Sequence, residues 1–298
     1  MKNNAKKINT INDFIHFAAN QFKQNKIYFG HGTDNAWDEA VYLVLSALHL
    51  QFDIDQSALK KKLTSYEKKA VLKIINSRIK KRIPAAYLTA EAWFAGLPFY
   101  VDKRALIPRS PLAELIEARF IPWINPKKVR RILDIGTGSG CIAIAAAYAF
   151  PHAKIDAIDV SSKALKVAAI NCVRHKVTKR VRLLKSDLFA KLKGQTYDII
   201  ISNPPYVGKS EMSSLPKEYY HEPKQALFAG IGGDEIVNRI IKSAAKYLSP
   251  KGILVVEVGN SAPLIIKKYP HLPFVWLEFE HGEGEVFLLI KEQLPIIN

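Results

Sequence analysis

The 298-residue chain has only two cysteines, Cys141 and Cys172, too few for a cysteine zinc cluster or a disulfide-stapled secreted domain. Both sit in helix-like apolar patterns and read as buried small residues rather than as nucleophiles. Long apolar runs are also missing. The longest, Cys141 to Phe150, is about half of the roughly 18 residues that a bilayer span needs. The opening MKNNAKKINT has no hydrophobic segment for secretion, so the expectation is a soluble, cytoplasmic protein without a membrane partner. His16, His49 and His271 show no metal-ligand spacing, and no metal is expected. Acids are scarce: 27 Asp and Glu face 44 Lys and Arg, a net charge of +17 that favours polyanions or particles containing them. What is present, 48% hydrophobic and 24% charged residues, suffices for a substantial core in one large domain or two unequal ones.

Residues 1 to about 83 read as helical, because apolar positions recur with a period near 3.6 and glycine occurs only around Gly30-His31-Gly32. Phe14, Phe17, Ala18 and Phe22 form one stripe, and Asp34 to Leu48 is a second helix. A third starts at Thr64-Ser65-Tyr66-Glu67, where hydroxyl and carboxylate can satisfy each other's backbone donors, and Ile83-Pro84 should stop it. In it Val71, Leu72, Ile75 and Ile79 share one face and Lys69, Lys73 and Lys80 another. Residues 60–82 hold ten Lys and Arg against Glu67 alone, which reads equally as a solvated face or as a binding patch for RNA phosphate. Leu88 to Val101, broken by Gly96-Leu97-Pro98, suggests a β-hairpin. Ser110-Pro111 reads as N-cap and first residue of a helix running to about Phe120.

After Val129 strands and helices alternate. Strands are expected at 131–135, 154–158, 182–184, 197–202, 253–258, 274–279 and 286–290, with helices after the first two and over Asp234 to Leu248. Glu280 to Glu285 is too short for a helical crossover, so the last two strands should pair antiparallel. Asp134-Ile135-Gly136-Thr137-Gly138-Ser139-Gly140 closes the first strand and opens a helix, putting three glycines where a ligand must approach the backbone. The acid ahead of this turn would repel the pyrophosphate that G-x-G-x-x-G turns hold, but suits a cationic ligand. Asp159 ends the second strand, where it can accept from ribose hydroxyls, and Asp187 follows the third, where it can receive an adenine amino group. Together these point to S-adenosylmethionine, with NAD the lesser candidate. Asn203-Pro204-Pro205-Tyr206 follows the buried strand Ile199-Ile200-Ile201 and emerges at the same edge. The Asn203 oxygen and the Pro204 carbonyl can both accept from one planar NH2 group, the prolines hold them rigid, and Tyr206 offers a flat face for stacking.

These residues resemble the HemK/Prm family of protein-glutamine N(5)-methyltransferases over essentially the whole chain: Ile107-Pro108-Arg109, the DIGTGSG turn, Asp159, SDLF, NPPYV and His221-Glu222-Pro223. Within it, Gly30 to Ala40 and Pro108-Arg109-Ser110-Pro111 are most similar to the members that act on ribosomal protein L-three; release-factor members carry a PRPDTE-type run in the latter place. The resemblance implies a class I, Rossmann-like α/β sheet of seven strands with an antiparallel last strand, plus a small helical domain. It divides the chain into residues 1–84 for substrate recognition, a hairpin linker at 85–105 and a methyltransferase domain at 106–298. It implies cofactor roles for Asp134, Gly136, Thr137, Gly138, Ser139, Gly140, Asp159, Asp187, Leu188 and Asn203, and substrate-amide roles for Asn203, Pro204, Pro205 and Tyr206.

The expected activity is methyl transfer from S-adenosylmethionine to a glutamine amide of ribosomal protein L-three, free or in an assembling large subunit. An adenine-N(6) methyltransferase on DNA or RNA is the alternative, since NPPY also serves exocyclic amines, but no large target-recognition insertion is present. A non-catalytic RNA-binding assembly factor is a third reading, disfavoured because no reacting position is degraded.

Overall fold

The computed structural model describes residues 8–280 and 285–295. They fall into two compact units, the first drawn from 1–91 with 216–221, the second from 92–215 and 222–298.

The first unit is helical. Thr10 opens α1 (Ile11–Gln24) with a capping box to Asp13, and Asn35 caps α2 (Ala36–Ala47) by accepting from Trp37 and Asp38 amides. The box read at Thr64 exists: its amide donates to Glu67 Oε2 at 2.7 Å, and the Glu67 amide donates back to Thr64 Oγ1 at 3.2 Å, starting α3 (Ser65–Lys81). Ile83-Pro84 follows the end of that helix, and α4 (Ala85–Thr89) begins after the proline. Phe14, Ala18, Phe22, Leu43, Val71 and Ile75 form the core, while Phe17 and Leu72, assigned to the same stripes, are only partly buried. One expectation needs correcting. Arg78, counted among the cations of 60–82, is fully buried, so the exposed charge comes from its neighbours, including Lys69, Lys73 and Lys80. Arg78 donates to Glu39 Oε1 (2.6 Å), Glu218 Oε1 (3.1 Å) and the Tyr28 carbonyl (2.7 Å), which is how the 3-10 turn Lys217–His221 becomes part of this unit.

In the second unit a hairpin of β1 (Glu91–Phe94) and β2 (Leu97–Tyr100) turns at Ala95-Gly96, both at positive φ. The next helix, α5 (Leu112–Glu117), is shorter than expected, and Pro111 is its cap rather than its first residue. The Ser110 hydroxyl lies at that corner, accepts from Leu112 N and donates to the distant Glu257. The alternating region gives β3 (Arg131–Ile135), α6 (Cys141–Ala149), β4 (Lys154–Asp159), α7 (Ser162–Arg174), β5 (Val181–Lys185) and β6 (Tyr197–Ser202). Short helices α8 (Lys209–Met212) and α9 (Lys224–Leu227) follow, then α10 (Glu235–Ala244), β7 (Leu248–Glu257), α11 (Ala262–Lys268), β8 (Val275–Leu277) and β9 (Val286–Ile290).

The seven strands lie in the order β5-β4-β3-β6-β7-β9-β8. The first five are mutually parallel and β9 runs antiparallel to both neighbours, the arrangement that the resemblance implied. Residues 281–284, in the connection expected between the last strands, lie outside the described residues, as do residues 1–7 of the basic N-terminal segment. Ile199, Ile200 and Ile201 are all inaccessible because both sheet faces are covered. Ile199 and Ile201 join a core with α5 and α6, and Ile200 joins one with Ile240, Ile241 and Ile265 of α10 and α11. The apolar run from Cys141 is the buried helix α6, and no helix among the described residues is long and apolar enough to cross a membrane.

Candidate active site

From β3 the chain steps outward through β4 and β5, then returns to lay β6 on β3's other side. At such a reversal the connecting loops diverge beyond the carboxyl ends and leave a crevice. Here the crevice holds a cavity of about 170 Å³ beneath an open mouth.

The glycine turn forms its floor. The Gly136 and Thr137 amides both donate to the Ile158 carbonyl (2.9 Å each), and Gly138 N donates to Asp159 Oδ2 (2.9 Å), stitching the turn to the end of β4. Gly140, at φ +83°, opens α6 against α7, and a Cβ there would lie 3.1 Å from Ala168 Cβ. Only glycine allows that backbone and that approach together. Gly136 and Gly138 line the cavity; Thr137, Ser139 and Gly140 do not, and serve the turn beneath it.

The three acids read from the sequence take different positions. Asp159 lines the cavity, its oxygens accepting from Gly138 N and Ser161 N, while burial raises its carboxyl above the ordinary range. Asp187 also lines it but is exposed and pairs with Arg239 at 2.8 Å, beside the cavity-lining Leu188. Asp134 does not reach the cavity lining. It is fully buried under the turn, where Oδ2 accepts from Thr137 Oγ1 (2.6 Å) and Ala143 N (3.1 Å). Its Oδ1 has no hydrogen-bond partner, and burial pushes the carboxyl up to about 7.

Asn203, Pro204 and Pro205 leave β6 directly into the cavity wall, so the structure brings the NPPY segment and the glycine turn to one space. Tyr206 is not part of that wall. A Cβ on Gly259 would come within 2.6 Å of the Tyr206 ring, and the Tyr206 hydroxyl donates to Glu257 Oε1 at 3.1 Å. The ring thus packs over Gly259 instead of presenting its face to the cavity.

Several residues in this architecture carried no sequence reading of their own. Arg109 grips Glu222 through two parallel bonds (2.7 and 2.6 Å), and Glu222 also accepts from Ile107 N, holding the segment that carries Pro223, Gln225 and Phe228 to the cavity rim. Arg109 and Glu222 entered the family resemblance, but their pairing across more than a hundred residues leaves no local trace. Asn171 on α7 bonds Tyr100 through both ends of its amide and the Ser139 carbonyl at 2.8 Å, its only sequence signal being a polar residue beside Val167, Ala168 and Cys172. Glu257, at the end of β7, is buried and accepts from the Ser110 and Tyr206 hydroxyls, and burial raises its carboxyl to about 7. Cys141 and Cys172 are buried, with thiols pushed up to about 12 and about 11 by desolvation, so neither is a nucleophile at neutral pH.

Known proteins extend this picture. Residues 118–230 match the methyltransferase small domain family. The solved hMettl16 catalytic domain in complex with MAT2A 3'UTR hairpin 1 has a TM-score of 0.51 at 18% identity, covering 93% of this chain and 90% of that one, a likeness of fold. A protein of Francisella tularensis named ribosomal protein uL3 glutamine methyltransferase is 46% identical over 96% of this chain and 92% of its own length. Proteins of the same name from Neisseria gonorrhoeae and Neisseria meningitidis are 47% and 48% identical, each over 97% of this chain and at least 96% of their own. With identity of that order along nearly the whole chain, and with the class I methyltransferase sheet in place, this protein belongs to the family of ribosomal protein uL3 glutamine methyltransferases.

Proposed function

We propose that the protein transfers a methyl group from S-adenosylmethionine to the side-chain amide nitrogen of a glutamine in ribosomal protein uL3. The observation that carries this reading is that Asn203, Pro204 and Pro205 wall the same cavity as Gly136, Gly138 and Asp159, so an amide held by the first set meets a ligand held by the second. The donor set fits the cofactor. Arg239 pairs with Asp187 and Asp102 binds Arg104, which leaves Asp159 as the acid facing the cavity, a balance that suits a cationic, phosphate-free adenosyl ligand better than a dinucleotide. Asp159 would hold the ribose, the Asp187–Leu188 edge the adenine, and Gly136 and Gly138 the amino-acid part. S-adenosylmethionine, when bound, supplies an electrophilic methyl on a positively charged sulfur.

An amide nitrogen is a poor nucleophile because its lone pair is delocalised, so the service required of the protein is orientation. Asn203 Oδ1 and the Pro204 carbonyl accept the two N–H groups and leave the lone pair facing the methyl. Methyl transfer to that nitrogen would form the N–C bond and leave the C–S bonding pair with sulfur. The positively charged N-methyl amide then loses a proton to water, so no general base is required. Residues 1–84 serve substrate recognition in this reading, and exposed Lys69, Lys73 and Lys80 favour a substrate embedded among RNA phosphates. The test is incubation with methyl-labelled cofactor and large-subunit particles, followed by separation of protein from RNA. Label on a uL3 glutamine supports the reading, and label in RNA replaces it with adenine methylation.

A further inference from the structure

The carboxyl ends of β6 and β7 lie side by side, with Ser202 opposite Val256, so the next residues, Asn203 and Glu257, are neighbours at the cavity's edge. Glu257 is 2% exposed, yet it ends the apolar run Ile253 to Val256. An acid in such a place persists only if donors surround it. Ser110 Oγ donates to Oε2 at 2.5 Å and Tyr206 OH donates to Oε1 at 3.1 Å, while the Asn203 side chain, next to it in the strand register, also favours the ionised carboxyl. Tyr206 cannot swing away, because its ring lies against Gly259 and its carbonyl against Gly233, where a Cβ would come within 2.3 Å.

We propose that Glu257 is a positioning residue that fixes which end of the Asn203 carboxamide faces the substrate. Burial raises the Glu257 carboxyl to about 7 against the Ser110 and Tyr206 hydroxyls that favour its ionised form; in that form it accepts and does not donate, so it takes the Asn203 NH2 end and leaves Oδ1 turned to the cavity. Only that orientation lets Asn203 accept from a substrate amide. The reversed one would set two NH2 groups against each other. Ser110 and Tyr206 hold the carboxylate in the plane this requires, which gives the Tyr206 hydroxyl a role although its ring does not wall the cavity. The inference rests on the amide-methylation reading above.

The test uses the full-length enzyme with uL3. In Glu257→Gln a near-isosteric amide places its own NH2 among three donors, so kcat should fall about 10- to 100-fold while S-adenosylhomocysteine affinity by calorimetry stays within about threefold. A kcat within about threefold of the parent would overturn the proposal. Loss of S-adenosylhomocysteine binding by this variant would overturn it too, since it would mark a structural role. The second arm exchanges polarity. Asn203→Asp sets two carboxylates together, and N203D/E257Q restores a donor facing an acceptor, so the double variant should exceed N203D at least about tenfold. No recovery contradicts the orientation argument. A parent enzyme that leaves uL3 unmethylated would instead sink the reading on which the proposal rests.

Discussion

Replacing Arg78 with methionine keeps most of the side-chain volume and removes the charge at the centre of the helical unit. Arg78 is wholly buried, as are Glu39 (1% exposed) and Glu218 (2%), and it donates three bonds of 2.6–3.1 Å. Two carboxylates face two guanidinium groups, the second being Arg82 at 3.4 Å from Glu218 and 23% exposed, so the substitution leaves one buried negative charge without its counterion. Breaking a buried pair from one side costs about 3–5 kcal/mol. Domains are typically stable by only about 5–15 kcal/mol, so a large share of the unit's stability is at stake. Glu39 keeps the Thr33 hydroxyl at 3.0 Å and Glu218 keeps the Tyr28 amide at 3.3 Å, which argues for the lower half of that range. Urea titration read by hydrogen exchange in peptides of α1 to α3 isolates this unit from the sheet. Neighbouring cations and backbone donors also hold the Glu218 carboxyl below its ordinary value of 4.5, although burial opposes them. Its contribution is therefore present above that value and lost as pH falls below it. A loss under about 1 kcal/mol at pH 7 in Arg78→Met would refute the view that this ion cluster organises the unit.

Further predictions concern the site and the surface. Gly140→Ala combines positive φ with a 3.1 Å approach to Ala168, so it should destabilise by about 1–3 kcal/mol in thermal unfolding, and Ala168→Gly in the same chain should restore part of the loss. The Asp134 carboxyl is raised to about 7, so the folded state holds a proton that the unfolded chain releases near 4; stability should decline as pH rises from about 4 to 7, by an amount on the order of a few kcal/mol. Asp134→Asn should reduce that decline in a melting series across pH, the remainder belonging to Glu257, which burial also raises to about 7; an unchanged slope would contradict the assignment to Asp134. Replacing Lys69, Lys73 and Lys80 with glutamine should raise KM for large-subunit particles several-fold at low salt and leave it nearly unchanged at about 0.5 M salt; equal KM at low salt removes the patch from substrate capture.

Much of this arrangement is legible before any coordinates, for identifiable reasons. Ile199-Ile200-Ile201 can only be a strand covered on both faces, and the turn after Ile135 needs its glycines whatever surrounds it. Local chemistry likewise marks Thr64 as a helix start. What escapes a linear reading is set by partners far along the chain. Arg78 sits in a basic run and looks solvated, because the acids that bury it are 39 and 140 residues away. The start of α5 shifts by a residue beside a Ser110 hydroxyl bonded to Glu257, 147 residues distant. Asp134 reads from the sequence as facing a ligand, and its position under the turn depends on Thr137 and Ala143 closing around it. Glu257 gives no periodic signal, since an acid at the end of an apolar strand ordinarily marks where the chain meets solvent.

The account stands or falls on Asn203 acting on the substrate amide beside a separately held cofactor. Mass spectrometry of uL3 after single turnovers by Asn203→Ala, paired with calorimetry of S-adenosylhomocysteine, measures both halves at once. The prediction is glutamine methylation reduced by about 100-fold or more, with cofactor affinity within about tenfold of the parent. Methylation at the parental rate would contradict it.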